Sequence, residues 1–286
     1  MHTPTAILLI ACPDRKGIVA EVTSFLYRHS GNIISAEQYT DFDDQQFFMR
    51  VEWELEGFAL SRQQLADGAF AEIARRFGMA YRIYFSDDLP CVALFVSRQD
   101  HCLLELLWRY RQHELPCRIG CIVSNHPDLG EIAQSFDIPF HHLPKTAQTR
   151  EAVEPREWQL LDQHQVQIVV LAKYMQILSP AFVNRYAHNI INIHHSFLPA
   201  FEGARPYHRA HERGVKIIGA TVHYVSSELD QGPIIDQTVI RVSHKDTVAD
   251  FIRKGRDLEK LLLVRGLSLH LEHRVLSCRN RTVVFD

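Results

Sequence analysis

Residues 192–232 read NIHHSFLPAFEGARPYHRAHERGVKIIGATVHYVSSELDQG. The stretch follows the apolar pair Ile190-Ile191, so Asn192 and His194 stand where a buried strand ends. In open α/β sheets, ligands collect beyond the carboxyl ends of strands, and polar side chains emerging there are favoured site candidates. Strand geometry puts Asn192 and His194 on one face and turns Ile193 into the core. An amide donor beside an imidazole is a device for holding a developing oxyanion and passing a proton. Ile217–Val225 reads as a second strand, with Thr221 and His223 on one face and Val222 and Tyr224 on the other. The turn from Ser226 to Gly232 leads into Pro233-Ile234-Ile235, and its carboxylate, Asp230, is placed to fold back and orient His194. Spacing alone leaves a second reading open, in which Asn192 caps a turn, the histidines are ordinary polar residues and Asp230 is solvated.

Outward from this stretch, the chain alternates strands and helices. Cys91–Val96 is a continuous apolar run, suited to a strand covered on both faces. Helical spacing over His101–Tyr110, a strand at Arg118–Val123, a helix over Pro127–Phe136 and a short strand at Ile138–His142 follow. Leu143–Pro155 has loop chemistry; a helix then runs to His164, and Val166–Ala172 is the next strand. A last long helix spans about Thr247 to Val275, and Arg281–Phe285 adds a terminal strand. This is a doubly wound, mostly parallel α/β pattern over residues 91–286.

Ahead of it, residues 6–85 read as a ferredoxin-like βαββαβ unit. Its strands are Ala6–Cys12, one opening at Ile33-Ile34, Phe47–Leu55 and Ala80–Phe85. Its helices carry Ile18, Val19, Val22, Phe25 and Leu26, then span about Ser61 to Phe77. Ser86-Asp87-Asp88-Leu89-Pro90 is the linker between a 1–85 domain and a 91–286 domain.

With 286 residues, 46% hydrophobic and 23% charged, the chain has the makings of a globular protein of one or two domains. A formal net charge of −3 gives no electrostatic case for nucleic acid or membrane as the main partner. The apolar run Ala6–Cys12 is cut short by Asp14-Arg15-Lys16 and has no basic leader, so neither a secretory signal nor a membrane span is expected. The six cysteines lack a CxxC pair and lie mostly in apolar runs, as reduced core thiols of a cytoplasmic protein do. Among 17 histidines, five cluster at His194, His195, His208, His211 and His223. His208 and His211 are not an i, i+4 pair and no glutamate completes an HExxH motif, so no metal site is expected. If strand geometry persists, His195 points away from His194.

The motifs N-I-H-x-S-x-L-P, G-A-T-V-H-Y-V and E-L-D-Q-G-P-I-I, in that order, resemble the folate-dependent formyltransferase superfamily. Leu171–Val183, LAKYMQILSPAFV, resembles that family's pterin-side hinge. The phrase C-P-D-R-K-G-I-V-A followed by G-N-I-I resembles an ACT domain, and the two together resemble the superfamily's hydrolytic branch. The resemblance implies hydrolysis of 10-formyltetrahydrofolate to tetrahydrofolate and formate, with the folate as substrate and no cofactor. It implies Asn192, His194 and Asp230 as the catalytic set. Met175, Gln176, Ile177, Leu178, Ser196, Thr221, His223, Val225, Ser226 and Ser227 are implied on the substrate side. It also implies a cytoplasmic homo-oligomer, dimer or tetramer, with a small amino acid as possible effector of the ACT-like domain.

Two departures from the family pattern bear on the reaction. Transferases acting on a phosphorylated amine carry a glycine-rich turn after the first strand of this domain, where backbone N–H groups cradle phosphate. Here Ser97-Arg98-Gln99-Asp100-His101-Cys102 has no glycine, which favours water as acceptor. Met175-Gln176 stands where the transferases commonly have Met-Arg. Two alternatives stay open: formyl transfer to an amine, and an amino-acid-responsive folate-binding regulator without catalysis.

Overall fold

A computed structural model describes residues 3–146, 148–200 and 206–285. It divides into two compact units. The first runs to Leu89 and also takes in Glu272–Cys278 and the chain end from Val283; the second holds Pro90–Leu271 and Arg279–Thr282.

The first unit is built from β1 (Thr5–Pro13), α1 (Ile18–Arg28), β2 (Ile33–Asp41), β3 (Gln46–Glu54), α2 (Arg62–Ala66), α3 (Ala71–Phe77) and β4 (Ala80–Phe85). The strands form one antiparallel sheet in the order β2-β3-β1-β4. Alternation along β1 sends Leu8 and Ile10 into the core under the helices, with Val22, Leu26, Trp53 and Phe70. Its opposite face carries Ile7 and Leu9, which cluster with Phe48 and Phe285. The single helix expected over Ser61–Phe77 is two helices. Gly68, at φ 96, takes a left-handed conformation that no helix continues through.

The second unit starts with β5 (Cys91–Val96), α4 (His101–Arg111), β6 (Arg118–Ser124), α5 (Gly130–Ser135), β7 (Phe140–His142), α6 (Arg150–Gln163) and β8 (Ile168–Ala172). It continues with α7 (Pro180–Arg185), β9 (Ile190–His194), α8 (Pro206–Arg213), β10 (Ile217–Tyr224), β11 (Ile234–Arg241) and α9 (Val248–Leu271). The sheet order is β11-β10-β9-β8-β5-β6-β7. Strands β5 to β9 are parallel, and β10 and β11 are antiparallel additions beside β9. β5 and β8 are buried throughout, as central strands covered by helices must be.

Helix α6 starts at Arg150, earlier than expected, with Pro155 inside it. Buried contacts hold it there: Lys145 donates to both Glu157 oxygens at 3.0 and 2.7 Å, and the Tyr174 hydroxyl donates to Glu157 Oε1 at 3.0 Å. The last helix ends at Leu271 rather than near Val275, and β12 (Val275–Cys278) pairs with β13 (Arg281–Val284) as a hairpin. No helix among the described residues is long and apolar enough to cross a membrane.

Candidate active site

The antiparallel pairing of β10 with β9 builds the site. Its register sets Thr221 opposite His194 and His223 opposite Asn192. Directly opposed residues share a sheet face, so the four polar side chains expected on two separate strands meet on one surface. The following turn brings in Asp230, whose own backbone is left-handed at φ 57. A side chain at Gly232 would place its Cβ 1.7 Å from the Tyr224 carbonyl oxygen, so only glycine lets the turn close this tightly.

Asp230 Oδ2 lies 3.3 Å from His194 Nδ1, and its Oδ1 lies 3.8 Å from His223 Nε2. Burial pushes the Asp230 carboxyl up, but the His194 hydrogen bond and the histidine charges outweigh it and hold the group below its ordinary value. His194 is 5% exposed, and its Nε2 is buried with no hydrogen-bond partner among the described residues. With Nδ1 engaged by the carboxylate, Nε2 is the nitrogen left for a reacting group.

Asn192 is fixed through His223. The His223 Nδ1–H donates to the Tyr224 carbonyl at 2.9 Å, which leaves Nε2 to accept from Asn192 Nδ2 at 3.1 Å. Burial lowers the proton affinity of His223 and keeps that tautomer neutral. One Asn192 N–H is spent on the imidazole and the other remains to donate elsewhere.

Thr221 and His223, implied on the substrate side, are both buried, and their hydrogen bonds brace that face. The Thr221 hydroxyl donates to the Ser196 carbonyl at 2.8 Å and accepts from Leu198 N at 3.1 Å and Gln237 Nε2 at 2.9 Å. It thus pins the Ser196–Leu198 segment, which precedes a cis Leu198-Pro199 bond. Ser196 is buried, and its hydroxyl has no partner among the described residues.

On the expected pterin side, Met175 and Ile177 are exposed, at 62% and 50%, and Leu178 is buried. Met175 N donates to Ser97 Oγ at 3.1 Å, which ties the segment after β8 to the end of β5. Gln176 is partly exposed beside them. Val225 and Ser226 are half-buried and Ser227 exposed in the turn that carries Asp230. An apolar cavity including Phe197, Ile218 and Val239 meets the site through His195 and Ser196 and includes none of Asn192, His194 or Asp230.

His195 does not point away from His194. β9 ends at His194, and the next ring stacks on it with centroids 4.9 Å apart at 18°. Lys173 Nζ lies 3.2 Å from His195 Nδ1 and 3.2 Å from Glu259 Oε2. Glu259, 1% exposed on α9, also accepts from His101 Nε2 at 2.8 Å and from the Tyr207 hydroxyl at 2.6 Å. Burial drives its carboxyl up, yet the His101 hydrogen bond, the Lys173 charge and the Tyr207 hydroxyl bring it down to about 2. Burial, Lys173 and His194 hold His195 down to about 3. Lys173, Tyr207 and Glu259 were not singled out in the sequence; a lysine directly after an all-apolar strand is their one visible trace. Among the described residues, His101, Cys102 and Glu259 come close enough to group around a cation, but the Lys173 ammonium already occupies the Glu259 carboxylate.

The glycine-free segment Ser97–Cys102 leads into α4, whose cap residue Asp100 makes no side-chain capping bond. The family model for formyl transferase matches residues 91–267, and that for the ACT domain matches residues 6–65. The formyltetrahydrofolate deformylase of Synechocystis sp. is 58% identical over 285 residues, covering 100% of both chains. That of Bacillus subtilis is 45% identical over 98% of this chain and 93% of its own. The crystal structure of a formyltetrahydrofolate deformylase from Pseudomonas syringae pv. tomato superposes with a TM-score of 0.97 at 49% identity, covering 100% of this chain and 96% of that one.

Proposed function

The chain belongs to the formyltetrahydrofolate deformylase family and hydrolyses 10-formyltetrahydrofolate to tetrahydrofolate and formate; we propose that Asn192, His194 and Asp230 carry the reaction. The observation that supports this assignment is the buried His194 Nε2, without a hydrogen-bond partner among the described residues, with its Nδ1 held 3.3 Å from Asp230. In this reading, water adds to the formyl carbon and the carbonyl oxygen becomes an oxyanion. The free Asn192 N–H and the His194 Nε2–H donate to that oxygen. Asp230, ionised because its carboxyl is held low, takes a proton from the water. The C–N10 bond then breaks as His194 delivers a proton to N10; Asp230 hands the proton it took from water back to His194, and water's second proton leaves to solvent as formic acid ionises to formate. Formate and tetrahydrofolate are the products. Met175 to Leu178 and Val225 to Ser227 hold the pterin in this scheme, with Ser196 beside the reacting carbon.

Formate release from 10-formyltetrahydrofolate with water as the only acceptor tests the assignment. Glycinamide ribonucleotide is expected neither to capture the formyl group nor to slow release. Stoichiometric transfer to that amine would overturn it.

The ACT match supports a further reading, that a small amino acid of one-carbon metabolism, such as glycine or methionine, binds the first unit as an effector. Exposed apolar residues on its edge strand, Ile34 and Tyr39 of β2, suit pairing with a second copy, and the protein is proposed to be a homo-oligomer. All six cysteines are unpaired, five of them buried, which suits a reducing cytoplasm. Calorimetric titration with amino acids checks the effector, and no heat with any of them would leave the unit an assembly module.

A further inference from the structure

The proton and oxyanion chemistry uses His194, but a buried charged network lies directly behind that ring and has no part in the scheme so far. Glu259 receives three donors from three elements: His101 of α4, Lys173 after β8 and Tyr207 of α8. Gly255, one turn before Glu259 on α9, is what lets Tyr207 approach, since a Cβ there would sit 2.1 Å from the Tyr207 hydroxyl. Lys173 has φ 63, a left-handed conformation that a lysine adopts only under constraint. Its ammonium bridges Glu259 to His195 Nδ1, at 3.2 Å to each.

We propose that Lys173, clamped by Glu259, is a positioning residue of the reacting site: it fixes His195, the ring on which His194 stacks. An ammonium has no lone pair, so at His195 it is the donor, and Nδ1 must accept. His195 therefore keeps its proton on Nε2 and stays a neutral ring. A neutral ring at 4.9 Å leaves His194 free to carry the positive charge that protonating N10 requires. A cationic ring in the same place would oppose it. Those partners face His195 from every side: Lys173 after β8, His194 on β9, Glu259 on α9, Asp230 in the turn, and the Tyr207 ring of α8 with its centroid 6.2 Å away. Burial most of all, then Lys173 and His194, oppose a second proton on His195, while Glu259 and Asp230 invite one. Removing Lys173 tips that balance toward protonation.

The inference rests on His194 as the reacting imidazole, and its test separates the two. Short of the ordinary histidine value of about 6.5, since burial still opposes the charged ring, Lys173→Met is expected to add an ionisation on the acid side of the kcat profile. About one pH unit below it, kcat should be about tenfold lower than the trend of the parent enzyme, with KM changed much less. Lys173→Arg, which keeps a donor, should restore the parent profile, and Lys173→Met with His195→Phe should lose the added limb. A parent-like profile in Lys173→Met, or a limb that survives in the double variant, overturns the inference. Nitrogen NMR of the unaltered enzyme gives an arm independent of activity and of variant folding, with His195→Phe identifying the signal. His195 should remain neutral, with an unprotonated Nδ1, at pH 5.5; a protonated Nδ1 there overturns the proposal even if Asn192 and Asp230 prove catalytic. Full activity in Asn192→Ala and Asp230→Asn would sink the reaction scheme instead, while leaving this measurement intact.

Discussion

Three side chains of different strength divide the chemistry, and each can be removed separately. Loss of a single oxyanion donor typically costs on the order of 10²–10³ in turnover. Asn192→Ala is expected in that range with folate binding retained, because His223 rather than substrate is the partner that holds the amide. Asp230→Asn keeps the shape but loses the charge facing His194, and should cost at least as much. Because the Asp230 carboxyl is held below its ordinary value, the acid limb it contributes to kcat should also lie below about pH 4. Turnover near the parent value in both variants would place the reaction elsewhere. The same depressed carboxyl contributes stability that is complete above the unfolded value near pH 4 and lost as pH falls through the folded one. At this scale the sequence was most readable where chemistry follows strand periodicity. Asn192, His194 and Asp230 could be picked out because two strands alternate and one turn must return between them. Lys173, Tyr207 and Glu259 could not, since they come from three elements whose approach is set only by packing onto α9.

Elements with strong hydrophobic periods sit where their pattern put them. β5 and α4 are within a residue of the expected ends, because an apolar run and a helical stripe each bury only one way. Where structure and periodicity part, the cause is shared: a local pattern continues past a break that only backbone geometry reveals. The stripe over Ser61–Phe77 ran through Gly68, and the last helix was carried through His273, a residue in the left-handed region at φ 53. Pro155 misled in the opposite direction, since a proline inside α6 is tolerated once Glu157 is pinned by Lys145 and Tyr174. Helix α9 itself gives a prediction with an unusual sign. Alanine for glycine in a helix ordinarily gains about 0.5–1 kcal/mol. At Gly255 the added methyl would meet the Tyr207 ring at 2.2 Å and its hydroxyl at 2.1 Å, and overpacking of this kind typically costs about 1–3 kcal/mol. Gly255→Ala should therefore lower the melting temperature and weaken the bond from Tyr207 to Glu259. In a Tyr207→Ala background the same change should become neutral or stabilising. A gain in the parent background would show that Tyr207 moves aside without cost.

The chain divides into two compact units, but they do not divide the sequence at one point. The expected boundary gave everything after Pro90 to the second domain, whereas Glu272–Cys278 and the segment from Val283 pack with the first unit. Residues from both ends of the chain share one apolar cluster there: Ile7, Leu9 and Phe48 with Phe285, and Leu276 and Val283 against them. Arg50, only 5% exposed, sends its guanidinium to Glu52 at 2.9 Å and to the carbonyls of Glu272 and His273, each at 3.2 Å. The His273 ring stacks on Tyr84 with centroids 3.6 Å apart. Nothing in the spacing of the tail announces this, because a short hairpin of mixed polarity carries no address for the sheet it covers. The consequence is concrete. Cutting the chain after Leu271 would strip the sheet face of Ile7, Leu9 and Phe48 and leave Arg50 with Glu52 as its one remaining hydrogen-bond partner of the three. Hydrogen bonds from a charged group are typically worth about 1.5–3 kcal/mol each, so losing the two carbonyl partners together with the apolar cover removes a large fraction of a small unit's stability. Limited proteolysis of the truncated chain should therefore cleave within residues 3–89 far faster than in the full-length protein. The fragment that survives longest should begin near Pro90, where the second unit starts. Equal protease resistance in the two proteins would mean that the tail only decorates the first unit.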